Sequence, residues 1–237
     1  MTAIFFDLDD TIYLRSDPFD RTCAVLLPHL TEDQRRRAFR TCRDRGDEVF
    51  PAAQRGEISE SEMYRYRYRQ GFADVGVTID DSFAWAFYEE YIVQQRTIAP
   101  SPVMQSILAL AQEKFGRVGI LTNGESVRQR KKVHQLGILQ WAEESLVFVS
   151  GDAGRPKPDP YLFELAMTAT ELPPKQLWMV GDSYEADVCG AAACGWHTVW
   201  LNREGTAIPT GGIAPDIMVE SEAALLSWLK SFFSPFV

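Results

Sequence analysis

The sequence predicts a doubly wound α/β core interrupted near its start by an all-helical insert, and three observations lead to this. From residue 99 onward helical segments alternate with short apolar runs, the pattern of a parallel sheet with helical crossovers. Several of those runs lack polar–apolar alternation, as strands covered on both faces do. One more such run, Ile4-Phe5-Phe6, stands at the N-terminus, and residues 14–98 between it and the rest carry helical pattern alone. The boundaries predicted are 1–13 with 99–237 for the α/β core and 14–98 for the insert.

The first strand runs straight into Asp7, Asp9 and Asp10 and a loop to Tyr13. Within the insert, helices are expected near 18–29, 32–53, 60–73 and 80–95. Thr31 with Gln34 and Ser59 with Glu62 match the capping box, in which a hydroxyl and a side chain three residues later satisfy reciprocal backbone donors. Pro51, Gly56, Gly71 and Gly76 are expected to separate the helices. In "MYRYRYRQGF", residues 63–72, Arg65 and Arg69 share one helix face while Arg67 points elsewhere. That stretch predicts tyrosine rings over the insert's core and solvated arginines rather than a base-stacking surface. After Ser101 the expected order is helix "PVMQSILALAQEKFG", strand "RVGILTN", helix "ESVRQRKKVHQLG", strand "LVFVS", helix "PDPYLFELAMTAT" and strand "LWMVGDS". The small-residue helix "ADVCGAAACG" then precedes "HTVWLN", "DIMVE" and the closing helix "EAALLSWLKSFF".

Composition narrows the function. The 237 residues are 46% hydrophobic and 24% charged, which suits a folded globular chain of one large domain with an insert. A net charge of −9 argues against binding a nucleic acid polymer, which needs a basic surface to displace counterions, but leaves room for a small anion held by local cations. Cys23, Cys42, Cys189 and Cys194 show no CxxC spacing and are expected as free thiols in a reducing compartment. There is no secretory leader pattern and no apolar run of spanning length, so a cytoplasmic protein without a membrane is expected. Phe232, Phe233 and Phe236 are expected to pack on the core or form a dimer contact, leaving monomer or homodimer open.

In doubly wound sheets, ligands bind beyond the carboxyl ends of the strands. The expected strand ends bring Asp7 to Asp9, Thr122-Asn123-Gly124, Ser150-Gly151 and Gly181-Asp182-Ser183 to one rim. By strand alternation Asp7 and Asp9 project to one side, and Asp10 to the other, where it should be replaceable. Two neighbouring carboxylates repel unless a cation lies between them or one is protonated. A hard divalent ion such as Mg²⁺ is the natural remedy, with Asp182 completing its shell. Thr122 offers a hydroxyl, Asn123 and Gly124 offer amides before a helix N-terminus, and Lys157, between Pro156 and Pro158, offers an ammonium. Singly these suit a capped turn, a loop and a surface lysine; together they describe an acidic metal site beside a phosphate-sized pocket.

On these residues the chain resembles the phosphatase branch of the haloacid dehalogenase superfamily, with its Rossmann-like core and a helical cap after the first motif. The matching stretches are Asp7-Leu8-Asp9-Asp10-Thr11, Thr122-Asn123-Gly124, Lys157, and Gly181-Asp182-Ser183 through Asp187. The resemblance implies Mg²⁺-dependent hydrolysis of a small phosphorylated metabolite, a nucleoside monophosphate or sugar phosphate, through an aspartyl-phosphate. Asp7 would be the nucleophile and Asp9 the acid and base. Asp7, Asp9 (by its backbone carbonyl) and Asp182 would hold the metal. Thr122, Asn123, Gly124 and Lys157 would hold the phosphoryl oxygens, with Thr11 and Asp187 in support.

The dehalogenase branch carries no acid at the position of Asp9, since a leaving halide takes no proton. A phosphomutase remains an alternative, as does, more distantly, a receiver-like phosphorylation switch. The cap is expected to close over the rim and select the substrate; Tyr13, Arg15 and Arg65 are its candidate contacts.

Overall fold

The computed structural model describes residues 2–232. Two compact units are present: Met1–Leu14 with Ala99–Val237, and Arg15–Ile98.

The first unit opens with β1 (Thr2–Phe6), buried over almost its whole length. The second unit then follows as four helices, α1 (Ser16–Leu26), α2 (Glu32–Gln54), α3 (Glu60–Ala73) and α4 (Asp81–Gln95). Both capping boxes form: Thr31 accepts from the Gln34 amide while the Gln34 side chain accepts from Thr31 N, and Ser59 and Glu62 do the same. These fix where α2 and α3 begin. Phe19, Phe72, Phe87, Tyr68, Cys23 and Cys42 pack the interior of this unit. Tyr64 and Tyr68 of α3 cover that core, but the arginines are not all solvated as expected: Arg69 pairs with Asp81 at 2.9 Å, Arg65 sits over the Trp85 ring, and Arg67 lies against the Tyr68 ring at 5.5 Å.

Two expected separators behave otherwise. Pro51 lies within the last turn of α2. Gly71 sits inside α3, buried against α2, where a Cβ would meet the backbone and Sγ of Cys42 at about 2.5 Å; it is there for close helix contact rather than for chain reversal.

The first unit resumes with α5 (Pro102–Phe115), capped by Ser101 and ended by Gly116 at φ 78°. It continues through β2 (Gly116–Thr122), α6 (Ser126–Gln135), β3 (Val147–Val149), α7 (Ser150–Ala153), α8 (Tyr161–Thr170), β4 (Leu177–Gly181), α9 (Gly190–Ala193), β5 (His197–Leu201), β6 (Ile217–Val219) and α10 (Glu222–Ser231). The segment expected as one small-residue helix divides into a wide turn at Tyr184–Cys189 and the short α9. The six strands form one parallel sheet in the order β3-β2-β1-β4-β5-β6.

Beneath the sheet Phe5, Leu121, Leu162, Phe163, Met179 and Trp196 form a buried core. On α10's side Phe232 stacks on Phe115 at 5.1 Å and meets Trp178 edge-on at 4.8 Å; Phe233 and Phe236 lie outside the described residues. All four cysteines are free, and burial pushes the Cys23 and Cys42 thiols up to about 12. No helix among the described residues is long and apolar enough to cross a membrane.

Chain progression moves outward from β1 through β2 and β3 on one side and through β4, β5 and β6 on the other. The order therefore reverses between β1 and β4, and the crevice for a ligand opens at the carboxyl ends of those two strands.

Candidate active site

Asp7 and Asp182 stand at that reversal. Asp7 N donates to Val180 O at 2.9 Å, carrying the β1–β4 ladder one residue past β1 and delivering the carboxyl group to the rim. Asp182 follows the last residue of β4. Asp187 returns to the same place from the turn after β4, accepting from Ser183 N at 3.0 Å. Gly181 permits that return, because a Cβ there would collide with the Asp187 carboxylate.

Lys157 closes the group from the loop before α8. Lys157 is 3% exposed, and its ammonium donates to Asp7 Oδ1 at 2.9 Å, Asp187 Oδ1 at 2.7 Å and Leu121 O at 2.6 Å. These are the three hydrogens an ammonium possesses, so its direction is fully determined. The loop is tied down in turn by Asn123, whose side-chain amide accepts from Lys157 N at 2.8 Å and donates to Lys157 O at 2.9 Å. Asn123 was expected to offer its backbone amide to a phosphoryl group; its side chain positions the lysine. The Gly124 amide likewise donates to Ser150 Oγ at 3.0 Å. Thr122, fully buried, accepts from Gln129 Nε2 at 2.7 Å.

The electrostatics are unbalanced toward negative charge. One ligand oxygen from each of Asp7, Asp182 and Asp187 lies within 4.8 Å of the others, against one ammonium. Burial pushes the Asp7 carboxyl up to about 8; Lys157 opposes this, and Asp187 and Asp182 add to it. Burial works against the Lys157 ammonium, but Asp187 and then Asp7 more than reverse it, so Lys157 is held above its ordinary value. Three hard oxygen donors at this spacing, with net negative charge left over, suit a divalent cation of the Mg²⁺ type. Because Asp187 already accepts from Lys157 and Ser183, Asp7 and Asp182 are the better placed pair to hold it. Thr11, fully buried, reaches Asp182 Oδ1 at 3.4 Å in its bracing position.

The Asp9 side chain is placed differently from the expected metal set. Among the described residues the compact carboxylate group is Asp7, Asp182 and Asp187. Asp9 instead faces α6, where Lys132 Nζ reaches its two oxygens at 2.7 and 2.8 Å and Gln129 Nε2 donates to Oδ2 at 3.0 Å. The Tyr13 hydroxyl donates to Oδ1. Tyr13 thus belongs to the unit that holds Asp9, not to the helical unit. The alternation argument fails past Phe6 because the regular strand stops there.

Asp10, expected to be replaceable, has φ 61°, a left-handed conformation that Asp, Asn and Gly tolerate and bulky residues do not. Its carbonyl accepts from Arg203, which also donates to Thr11 O at 3.2 Å and Glu222 Oε1 at 3.1 Å. Gln129, Lys132 and Arg203 were not singled out from sequence. Gln129 and Lys132 lie three apart on the helix that begins just after Thr122-Asn123-Gly124, a spacing that puts both on one face. Arg203 follows the carboxyl end of β5, so the same rim rule that found the aspartates points to it.

Residues 1–195 match the family model described as haloacid dehalogenase-like hydrolase. The phosphoserine phosphatase of Thermus thermophilus is 34% identical over 131 residues, covering 55% of this chain and 51% of that protein. The pyrimidine 5′-nucleotidase YjjG of Escherichia coli is 26% identical over 226 residues, covering 92% and 93%. Among solved structures, the HAD-hydrolase YfnB of Bacillus subtilis, bound to magnesium, aligns with a TM-score of 0.71 at 21% identity over 96% of this chain and 98% of that one. The L-2-haloacid dehalogenase of Xanthobacter autotrophicus aligns with a TM-score of 0.68 at 19% identity over 97% and 98%. At such identities the two structures speak for the fold.

Proposed function

Because the chain belongs to the haloacid dehalogenase-like hydrolases, we propose that it is a Mg²⁺-dependent phosphomonoester hydrolase that works through an aspartyl-phosphate on Asp7. Its substrate is a small phosphorylated metabolite, a nucleoside monophosphate or a sugar phosphate. The observation that carries this is the buried Lys157, which spans Asp7 and Asp187 and holds the carbonyl of Leu121, the residue before the buried Thr122. A nucleophile, the ammonium that orients it and a hydroxyl donor for a phosphoryl oxygen are thereby held at the carboxyl ends of neighbouring strands. The two similar proteins named above are both phosphomonoesterases by name, which supports the same class.

The chain's own residues divide the work. Lys157 fixes Asp7 through Oδ1, so the carboxylate meets the phosphorus in one orientation. The bond from Asp7 to phosphorus forms as the bond to the leaving oxygen breaks, and Asp9, protonated once its pairing with Lys132 is released, gives that oxygen the proton. Water then attacks the phosphorus of the aspartyl-phosphate, passes a proton to Asp9, and leaves Asp7 free with inorganic phosphate. Thr122 donates to a phosphoryl oxygen, and Lys157, its three hydrogens already engaged, contributes its positive charge as the charge on those oxygens grows in the transition state. Asn123 and Asp187 keep Lys157 in place, and Thr11 braces Asp182. When bound, Mg²⁺ supplies the positive charge that lets Asp7 ionise beside Asp182 and draws charge from the phosphoryl oxygens.

Dehalogenation is the rival chemistry on this fold. A halide leaves without a proton, so the Asp9 carboxylate and the Lys132, Gln129 and Tyr13 groups that hold it would have no task; this favours phosphoryl transfer. The family match leaves the phosphorylation-switch alternative without support.

The test is a hydrolysis screen over nucleoside monophosphates, sugar phosphates, phosphoserine and phosphoglycolate, each with Mg²⁺ and with EDTA, and 2-haloacids beside them. Phosphate release that EDTA abolishes is expected for at least one phosphomonoester. Halide release with no phosphate release would overturn the proposal; phosphoryl transfer between sugar hydroxyls would replace it with the mutase.

A further inference from the structure

Gln129 on α6 helps hold Asp9, is only 2% exposed, and has two further partners on Nε2 that the reaction as described does not explain. Its Nε2 lies 3.0 Å from Asp9 Oδ2, 2.9 Å from Asn123 O and 2.7 Å from Thr122 Oγ1. The Asn123 carbonyl can only accept, and so can the Asp9 carboxylate while it is paired with Lys132. The Gln129 amide must therefore turn its NH₂ toward the three oxygens; turned over, its own oxygen would face acceptors. An amide nitrogen has no lone pair to offer. With two hydrogens shared among three oxygens, the NH₂ can give to Thr122 Oγ1 but can take nothing from it, so the Thr122 hydrogen must point elsewhere. Among the described residues no acceptor takes that hydrogen, although Thr122 is fully buried. A buried donor left unpaired is costly, and an incoming ligand oxygen would complete it.

We propose that Gln129 is a positioning residue that makes Thr122 an obligate donor to a bound phosphoryl oxygen, while the same NH₂ holds Asp9 beside it. The inference rests on the phosphatase reading and deepens it: it names what orients the Thr122 hydroxyl. Gln129→Glu keeps the shape but presents an acceptor, which draws the Thr122 hydrogen back. Gln129→Met removes the amide and with it the donor that constrains the Thr122 hydroxyl.

The experiment measures kcat/KM for an aryl phosphate, which reports the steps through phosphoryl transfer and leans little on Asp9 because the leaving group is good. Four variants are compared with the parent chain: Gln129→Glu, Gln129→Met, Thr122→Val, and Gln129→Met with Thr122→Val. Each single substitution is expected to lower kcat/KM by about 10- to 100-fold, the range for a hydrogen bond to a charged group. Gln129→Met is expected to cost less than about twofold when Thr122 is already Val, because the two act through one hydrogen. A Gln129→Met enzyme within about twofold of the parent, or factors that multiply in the double variant, would overturn the proposal.

Binding of inorganic phosphate in Mg²⁺ buffer, by calorimetry, separates the two failures. If the parent hydrolyses no phosphomonoester the phosphatase reading falls, and the inference is then decided by binding alone. Equal weakening by Gln129→Glu and Thr122→Val sustains it; phosphate binding that Gln129→Glu leaves unchanged, or no phosphate binding at all, overturns it.

Discussion

Replacing Lys157 by Met removes one positive charge from among three carboxylates while keeping most of the side chain's length. In the parent chain Lys157 is 3% exposed and Asp187 1%, so neither charge is screened by water. Breaking such a buried pair on one side costs roughly 3–5 kcal/mol, because the remaining charge is stranded. For a chain of this size that corresponds to a fall in melting temperature of about 6–20 °C. The pH dependence has a definite sign. Asp7 is raised above its unfolded value, so its contribution is most favourable below that value and is lost as pH rises through about 8. Lys157 opposes that rise; without it the Asp7 value moves higher still, and protonation relieves the repulsion. The deficit of Lys157→Met is therefore largest above pH 8 and shrinks as pH falls. Thermal unfolding across pH, with and without Mg²⁺, reads this directly, and Mg²⁺ should stabilise the variant more than the parent. A melting temperature within about 2 °C of the parent, or a deficit that grows on acidification, would refute the reasoning.

Other perturbations reach different parts of the account. Asp9→Asn should slow hydrolysis of alkyl phosphates more than of aryl phosphates, by an extra factor on the order of 10²–10⁴ for a lost general acid; equal losses in steady-state assays would remove its role as acid. Below about pH 8 the Asp7 carboxyl holds a proton that the metal must displace. The apparent Mg²⁺ dissociation constant should thus rise about tenfold per pH unit below that point and level off above it; a flat profile in calorimetry would contradict this. Gly71→Ala should lower the stability of the helical unit by roughly 1–3 kcal/mol through overpacking against Cys42, and an unchanged melting curve would show that α2 and α3 can separate at no cost.

What was legible in the sequence follows from which signals are local. The strands were visible because a parallel strand covered on both faces must be apolar throughout, and the starts of α2 and α3 because a capping box occupies four residues. The rim aspartates were legible because strand ends in a doubly wound sheet converge, whereas Lys157, in the loop before α8, stood out by its flanking prolines and the family resemblance. Gly71 was misread because a glycine at a helix crossing and a glycine at a turn look alike until the facing Cys42 is known. Asp10 was misread for a related reason: strand alternation says nothing once the chain turns at a φ of 61°. The roles of Asn123 and Gln129 depend on pairings with Lys157, Asp9 and Thr122 that only the folded chain defines. Arg203 reaches Asp10 across 193 positions in sequence, a distance at which one sequence carries no pairing signal.

The central claim is that Asp7 takes the phosphoryl group. Rapid acid quench of the Mg²⁺-loaded enzyme during turnover of a phosphate-labelled aryl phosphate, followed by peptide mapping, tests it most directly. The account predicts one acid-stable, alkali-labile label on the peptide containing Asp7, with neither label nor turnover in Asp7→Asn. Hydrolysis that proceeds in Asp7→Asn, or a label on another residue, would contradict it.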